Sequence, residues 1–134
     1  MQSLHGKTIA LTGASSGIGE AAALRLAELG ARVCLIARRQ DELERVAEAI
    51  ASEDGEAAIY PADVSNETAV AELAERLLAS EPRIDVLINN AGRSIRRPVA
   101  ESLDRFHDYT RTMQLNYFAP VQLTLALLPR FYEQ

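Results

Sequence analysis

The stretch Leu11–Glu20, LTGASSGIGE, decides the fold of this protein. It places glycines at positions 13, 17 and 19 between an apolar run, residues 8–11, and a strongly helical segment, residues 21–30. A sharp turn off a strand and a close approach of backbone to ligand both favour glycine, which has no side chain. The stretch predicts a strand, a turn and a helix whose free N–H groups and positive dipole end can hold a phosphate. A glycine-rich turn without a ligand is the alternative.

The alternation of strand and helix continues along the chain. Near-continuous apolar runs predict four buried strands, at residues 7–13, 31–37, 57–62 and 84–90. Strands of this kind, when amphipathic helices separate them, form a parallel sheet with right-handed crossovers. We therefore predict an α/β fold of the Rossmann type, a doubly wound parallel sheet in the order 3-2-1-4 that stops before a fifth strand. Its ligand crevice should lie at the carboxyl ends of the strands.

Apolar spacing and capping signals predict where the helices lie. The first helix should bury one face, made by Ile18, Ala22, Leu26 and Leu29. The second should open with a capping box of Asp41 and Glu44. Ser65 or Asn66 should cap the third.

Composition excludes several classes of protein. The 134 residues, 48% of them hydrophobic, fit one soluble domain, residues 1–134. A net charge of −5 argues against nucleic acid as a partner. Cys34 is the only cysteine, and His5 and His107 are isolated, so we expect neither a disulfide nor a metal site. No apolar run is as long as a membrane span and no signal peptide opens the chain, so we expect a cytoplasmic protein.

Two motifs make the sequence similar to a known family. TGASSGIG, residues 12–19, and NNAG, residues 89–92, resemble the motifs of classical short-chain dehydrogenase/reductases. The resemblance covers the whole chain and implies that Thr12 and the NNAG segment brace the central strands. Together the motifs and the resemblance assign a dinucleotide site to Gly13, Ser15, Ser16, Gly17, Ile18, Gly19, Arg38, Arg39, Asp63, Val64, Asn90, Ala91 and Gly92.

Within that site, the resemblance implies separate roles for two loops. Asp63 and Val64 would contact adenine, with Asp63 accepting from its amino group. Asn90 would approach the cofactor ribose. The alternative for Asp63 is a turn residue before the cap at Ser65.

The end of the second strand favours NADP(H) over NAD(H). An enzyme that uses NAD carries an acidic residue there, but this sequence has Ala37, followed by Arg38 and Arg39. Arg38 can form a bidentate, charge-assisted pair with a 2′-phosphate, and Ser15 can add a hydroxyl. The alternative is that both arginines are solvated or pair with the acidic residues that follow them.

Asn116 is the one member of the family's catalytic set that the sequence contains. It lies in a helical segment predicted from Ser102 to about Arg130, which Pro120 should kink or divide. The resemblance implies that Asn116 bends this helix and holds a water of the proton relay.

The other proton-transfer residues of the family do not occur. The resemblance implies a serine, and a tyrosine followed four residues later by a lysine. The tyrosines, at positions 60, 109, 117 and 132, have no lysine at that spacing, and the single lysine, Lys7, opens the first strand. We therefore expect an inactive N-terminal fragment of an NADP(H)-dependent carbonyl reductase. A non-catalytic dinucleotide-binding or sensing module is the alternative.

The segments NNAGRSIRR and DRFHDYTRTMQLNYF resemble the bacterial fatty acyl-CoA reductase branch of the family. This implies an acyl thioester or a fatty aldehyde as substrate. Arg93, Arg96 and Arg97 could attract coenzyme A phosphates; surface arginines offset by nearby carboxylates are the alternative. The apolar run at residues 121–129 predicts a homo-oligomer interface.

Overall fold

The computed structural model describes residues 2–134 as one parallel sheet with helices on both faces. Its strands are β1 (Thr8–Thr12), β2 (Arg32–Ala37), β3 (Glu56–Pro61) and β4 (Val86–Ile88). They pair in the order β3-β2-β1-β4, which confirms the predicted order. β4 is shorter than the run predicted at residues 84–90. One reason is that the backbone N–H and C=O of Ile84 bond to the side chain of Gln134 rather than to β1.

The helices form two layers. They are α1 (Gly17–Glu28), α2 (Gln40–Ser52), α3 (Glu67–Ser80), α4 (Phe106–Met113) and α5 (Ala119–Glu133). Side chains alternate across the strands, so Leu11 packs with α1 and α2, whereas Ala10 and Cys34 pack with α3 and α5. The core on each side is therefore built from every second residue of the central strands.

The structure differs from the predicted buried face of α1 at Ile18 and from the predicted cap of α2, and it confirms a predicted cap of α3. α1 buries Gly19, Ala23 and Ala27, while Ile18 is 82% exposed, because these small residues let the helix approach the sheet closely. α2 begins at Gln40 without a side-chain cap, so Asp41 lies inside its first turn and the capping box does not form. In α3, Oδ1 of Asn66 accepts from the N–H of Ala69. Asn66, one of the two residues predicted to cap this helix, is therefore the cap.

The last helical segment is divided, and it starts later than the predicted Ser102. A short 3₁₀ turn, Val99–Glu101, precedes α4, and a π-helical turn, Gln114–Phe118, separates α4 from α5. Pro120 directly follows Ala119 in the first turn of α5. The backbone of Phe118 and Ala119 stays in the right-handed helical region, so the helix changes its hydrogen-bond pattern at the π-helical turn without ending there.

An ion pair between buried Glu81 and half-buried Arg32 lies at the amino-terminal side of the sheet. Glu81, 2% exposed, accepts two bonds from Arg32, at 2.9 and 3.1 Å, and one from the hydroxyl of Tyr60. Burial would raise the pKa of Glu81, but the bonds from Arg32 and Tyr60 outweigh it and lower that pKa. Glu81 is therefore a charged anchor between α3 and two strands.

Across residues 2–134, no helix has both the length and the apolar composition needed to cross a membrane.

Candidate functional site

A cleft of about 670 Å³ lies at the carboxyl ends of the strands. In a parallel sheet these ends meet at one edge, so the four loops that follow β1 to β4 come together there. All the predicted cofactor residues except Gly17 line this cleft. The remaining lining residues are Ile36, Ala37, Ala62, Ser65, Arg93, Arg111 and Leu115.

The glycine-rich turn is tight because α1 begins almost against the end of β1. A Cβ at Gly19 would lie 1.9 Å from the carbonyl oxygen of Gly13. Gly13 itself has a φ of +69°, a left-handed conformation that side chains disfavour. Glycine is thus required at position 19 for space and at position 13 for backbone conformation.

Thr12 and Asn90 tie this turn to the loop after β4. The buried hydroxyl of Thr12 accepts from the backbone N–H groups of Asn90 (3.0 Å) and Ala91 (2.9 Å). The side-chain amide of Asn90 donates to the carbonyl oxygens of Thr12 and Gly13. The cleft floor is therefore a single bonded unit.

The start of α1 offers free donors to the cleft. Its N-cap residue, Ser16, makes no side-chain bond to the first turn, and the first N–H bonded within the helix is that of Glu20, to Ser16. The N–H groups ahead of Glu20 have no capping side chain, and they lie at the positive end of the helix dipole. An anion is the ligand that this arrangement favours.

Arg38 and Arg39 stand exposed where β2 ends and both line the cleft. No carboxylate in residues 2–134 pairs with either of them. Glu42, one of the proposed alternative partners, pairs with Arg45 instead. Both guanidinium groups thus remain able to bind a second anion.

Asp63 forms the turn before Ser65, which was the alternative to a role in cofactor binding. It also lines the cleft. Its Oδ1 accepts from the N–H of Ser65 at 3.0 Å and from the hydroxyl of Ser65 at 2.6 Å. The other carboxylate oxygen has no bonded partner among the described residues, so it can accept from a ligand. Val64 provides an apolar surface beside it.

Asn116 is not part of the cleft wall; it holds the loop that follows β4. Its Oδ1 accepts from the N–H of Arg93 at 2.8 Å, and its Nδ2 donates to the carbonyl oxygen of Arg93 at 2.6 Å. Asn116 lies within the π-helical turn, where π-bulges often mark functional sites. The side chain of Asn116 therefore fixes the backbone of Arg93 at the cleft rim.

The three loop arginines do not form one group. Arg97 and Arg105 both bond to Oδ2 of Asp108, and these bonds, from Arg105 first, lower the pKa of Asp108 to about 2. Arg97 is therefore held by Asp108, whereas Arg93 lines the cleft and Arg96 is exposed. His107 is also at the surface.

Arg111 is a cleft residue that the sequence analysis missed. It lies one helical turn before Leu115, so both reach the same wall. Its position five residues before Asn116, in the same helical segment, is the one signal that could have identified it.

Comparison with known proteins identifies close relatives. A family model described as short chain dehydrogenase matches residues 7–134. Fatty acyl-CoA reductase of Acinetobacter baylyi is 51% identical over 133 residues, which are 99% of this chain and 45% of that protein.

Two solved structures share the fold. A metagenomic short-chain oxidoreductase in complex with NADP has a TM-score of 0.89 and 36% identity, over 96% of this chain and 58% of its own. A 3-oxoacyl (acyl-carrier-protein) reductase from Agrobacterium tumefaciens with NADP bound has a TM-score of 0.89 and 30% identity, over 98% of this chain and 50% of its own. The chain thus spans about half the length of these relatives.

The tight turn predicts a specific cost for Gly19→Ala. The new Cβ meets a backbone oxygen that cannot move aside, so we expect a loss of at least about 3 kcal/mol in the free energy of unfolding. Urea titration measures it. Gly6→Ala is the matched control: Gly6 has a φ of +77° but open space, so conformational strain alone should cost about 1–2 kcal/mol. Equal losses in the two variants would contradict this account of the turn.

Proposed function

This chain belongs to the short chain dehydrogenase family, and we propose that it is the cofactor-binding part of an NADP(H)-dependent oxidoreductase that reduces a carbonyl. The resemblance drawn from the two sequence motifs is confirmed by the match over residues 7–134. The observation that carries the proposal is the cleft. The start of α1, with its uncapped N–H groups, and two unpaired arginines line this same cleft.

The residues present fit a dinucleotide phosphate. The cleft volume falls within the range of small-molecule sites, and glycine at position 19 leaves room for the carbonyl oxygen of Gly13 where α1 meets the end of β1. The N–H groups at the start of α1 would hold the pyrophosphate, with Ser15 and Ser16 beside it.

Arg38 would select NADP(H) by pairing with the 2′-phosphate, with Arg39 adding positive charge. Its guanidinium group is planar and can bind two phosphate oxygens at once. Ala37 presents no carboxylate to repel that phosphate. The two solved relatives described above both contain NADP, which supports this choice.

The other loops would hold the rest of the cofactor. Asp63 would accept from the adenine amino group with its remaining oxygen, and Val64 would pack against the ring. Asn90, Ala91 and Gly92 would contact the middle of the molecule. Asn116 would act through Arg93, by keeping that loop in place.

When bound, NADPH supplies the hydride that reduces a carbonyl carbon. This chain contributes binding and orientation to that reaction. None of its tyrosines is followed at four residues by a lysine, so we assign proton transfer to residues that it does not contain. The activity is that of the longer enzyme.

A fatty acyl thioester or fatty aldehyde is the substrate class that we favour. The support is the identity with a fatty acyl-CoA reductase and the position of Arg93 in the cleft, with Arg96 exposed three residues further along the same loop. Arg97 is left out of this group because its guanidinium group is bonded to Asp108.

We also place the protein in the cytoplasm as a homo-oligomer. One side of α5 exposes Val121, Leu125 and Tyr132, which a second copy can cover. Sedimentation velocity at micromolar concentration tests this, and a monomer would count against it.

The cofactor assignment is tested by titration with NADPH and NADH. We expect tighter binding of NADPH, and Arg38→Ala should weaken NADPH binding about 10- to 100-fold because one charge-assisted phosphate contact is lost. NADH binding should not change. Arg83→Ala is the control, since Arg83 pairs with Asp85 at the opposite edge of the sheet. If NADH binds more tightly than NADPH, and Arg38→Ala does not change NADH binding, the assignment of NADP(H) is wrong.

The substrate assignment is tested in the full-length enzyme with Arg96→Ala. If Arg96 binds a coenzyme A phosphate, the KM for acyl-CoA should rise about tenfold. The KM for a fatty aldehyde, which lacks that phosphate, should stay the same. An unchanged KM for acyl-CoA would remove Arg96 from the substrate site.

A further inference from the structure

Arg45, on the exposed side of α2, reaches across to the first turn of α1. Its guanidinium group binds both carboxylate oxygens of Glu20, with Nη1–Oε1 at 2.7 Å and Nη2–Oε2 at 3.0 Å. Glu42, one turn earlier on α2, also accepts from Arg45 at 3.0 Å. Arg45 is therefore held in one orientation between two carboxylates.

The same Nη2 donates to the carbonyl oxygen of Ser15 at 3.2 Å. Ser15 belongs to the glycine-rich turn and lines the cleft. Because a trans peptide unit is planar, its C=O and N–H groups point in opposite directions. With the Ser15 oxygen bound to Arg45, the N–H of Ser16 points away from α2.

The negative charge of Glu20 opposes the binding of an anion at the start of α1. It follows Gly19 directly, in the helical turn whose free N–H groups favour an anion. The bond from Arg45 lowers the pKa of Glu20, so this carboxylate is ionised at neutral pH. Left alone, the charge would repel a phosphate bound at the same helix end.

We propose that Arg45 is a positioning residue for dinucleotide binding, which offsets the charge of Glu20 beside the phosphate-binding end of α1 and orients the Ser15 peptide. This inference rests on the cofactor site of the proposed function. It gives α2 a role in binding, although no residue of Gln40–Ser52 lines the cleft.

A role in binding can be separated from a role in folding. Arg45 is half exposed, and exposed ion pairs contribute little to stability. Substitution of Arg45 should therefore leave the thermal unfolding temperature nearly unchanged while it weakens binding.

The test is NADPH titration of the full-length enzyme as the wild type, Arg45→Ala, Glu20→Gln and the double variant. We expect Arg45→Ala to bind about tenfold more weakly at low salt, with the deficit shrinking as salt rises. Adding Glu20→Gln should restore affinity to within about threefold, because the uncompensated charge is gone. Arg45→Lys, which keeps the charge, should lose less than Arg45→Ala. Arg25→Ala is the matched control, since Arg25 pairs with Glu28 at the far end of α1.

The outcomes are distinct. Unchanged binding by Arg45→Ala overturns the role of Arg45 while the cofactor site stands. A double variant as weak as Arg45→Ala overturns the part of that role that acts through the charge of Glu20. Failure of the wild type to bind NADPH overturns the proposed function itself, and the inference with it.

Discussion

The close approach of Gly19 to the carbonyl oxygen of Gly13 is the contact on which the rest of the site depends. It lets α1 start directly above the carboxyl end of β1, so that the helix presents its free N–H groups at the edge of the sheet. The amide of Asn90 occupies the adjoining space and bonds to the same turn. The turn, the loop after β4 and the helix terminus are consequently one rigid unit that can bind an anion without rearranging.

At the amino-terminal ends of the strands an arginine is paired with a carboxylate, whereas two arginines at the carboxyl ends are unpaired. At the amino-terminal side, buried Glu81 pairs with half-buried Arg32, which fixes the end of α3 against the strands. At the carboxyl edge, Arg38 and Arg39 meet no carboxylate. An unpaired arginine in a cleft retains its full capacity to bind a ligand, whereas a paired one mainly holds structure. This contrast separates binding from structural arginines in a chain that has thirteen of them.

The strand order and most of the cleft could be predicted because their signals are local. Apolar runs mark strands, and TGASSGIG and NNAG mark the loops that follow two of them. What could not be predicted depends on contacts distant in sequence. Arg45 meets Glu20 across 25 positions, and Asn116 meets Arg93 across 23. Ile18 was misplaced because helical spacing alone does not reveal that small residues face the sheet.

Cys34, at the centre of β2, is fully buried, and burial raises the pKa of its thiol to about 12. A thiol in that state is neutral and inaccessible, so reagents cannot modify it while the sheet is closed. Because it is the only cysteine in the chain, its labelling rate reports how often the central strands separate. Cys34 is thus an internal probe of strand separation. Comparing its labelling rate with and without bound cofactor measures the effect of the cofactor on the closed sheet.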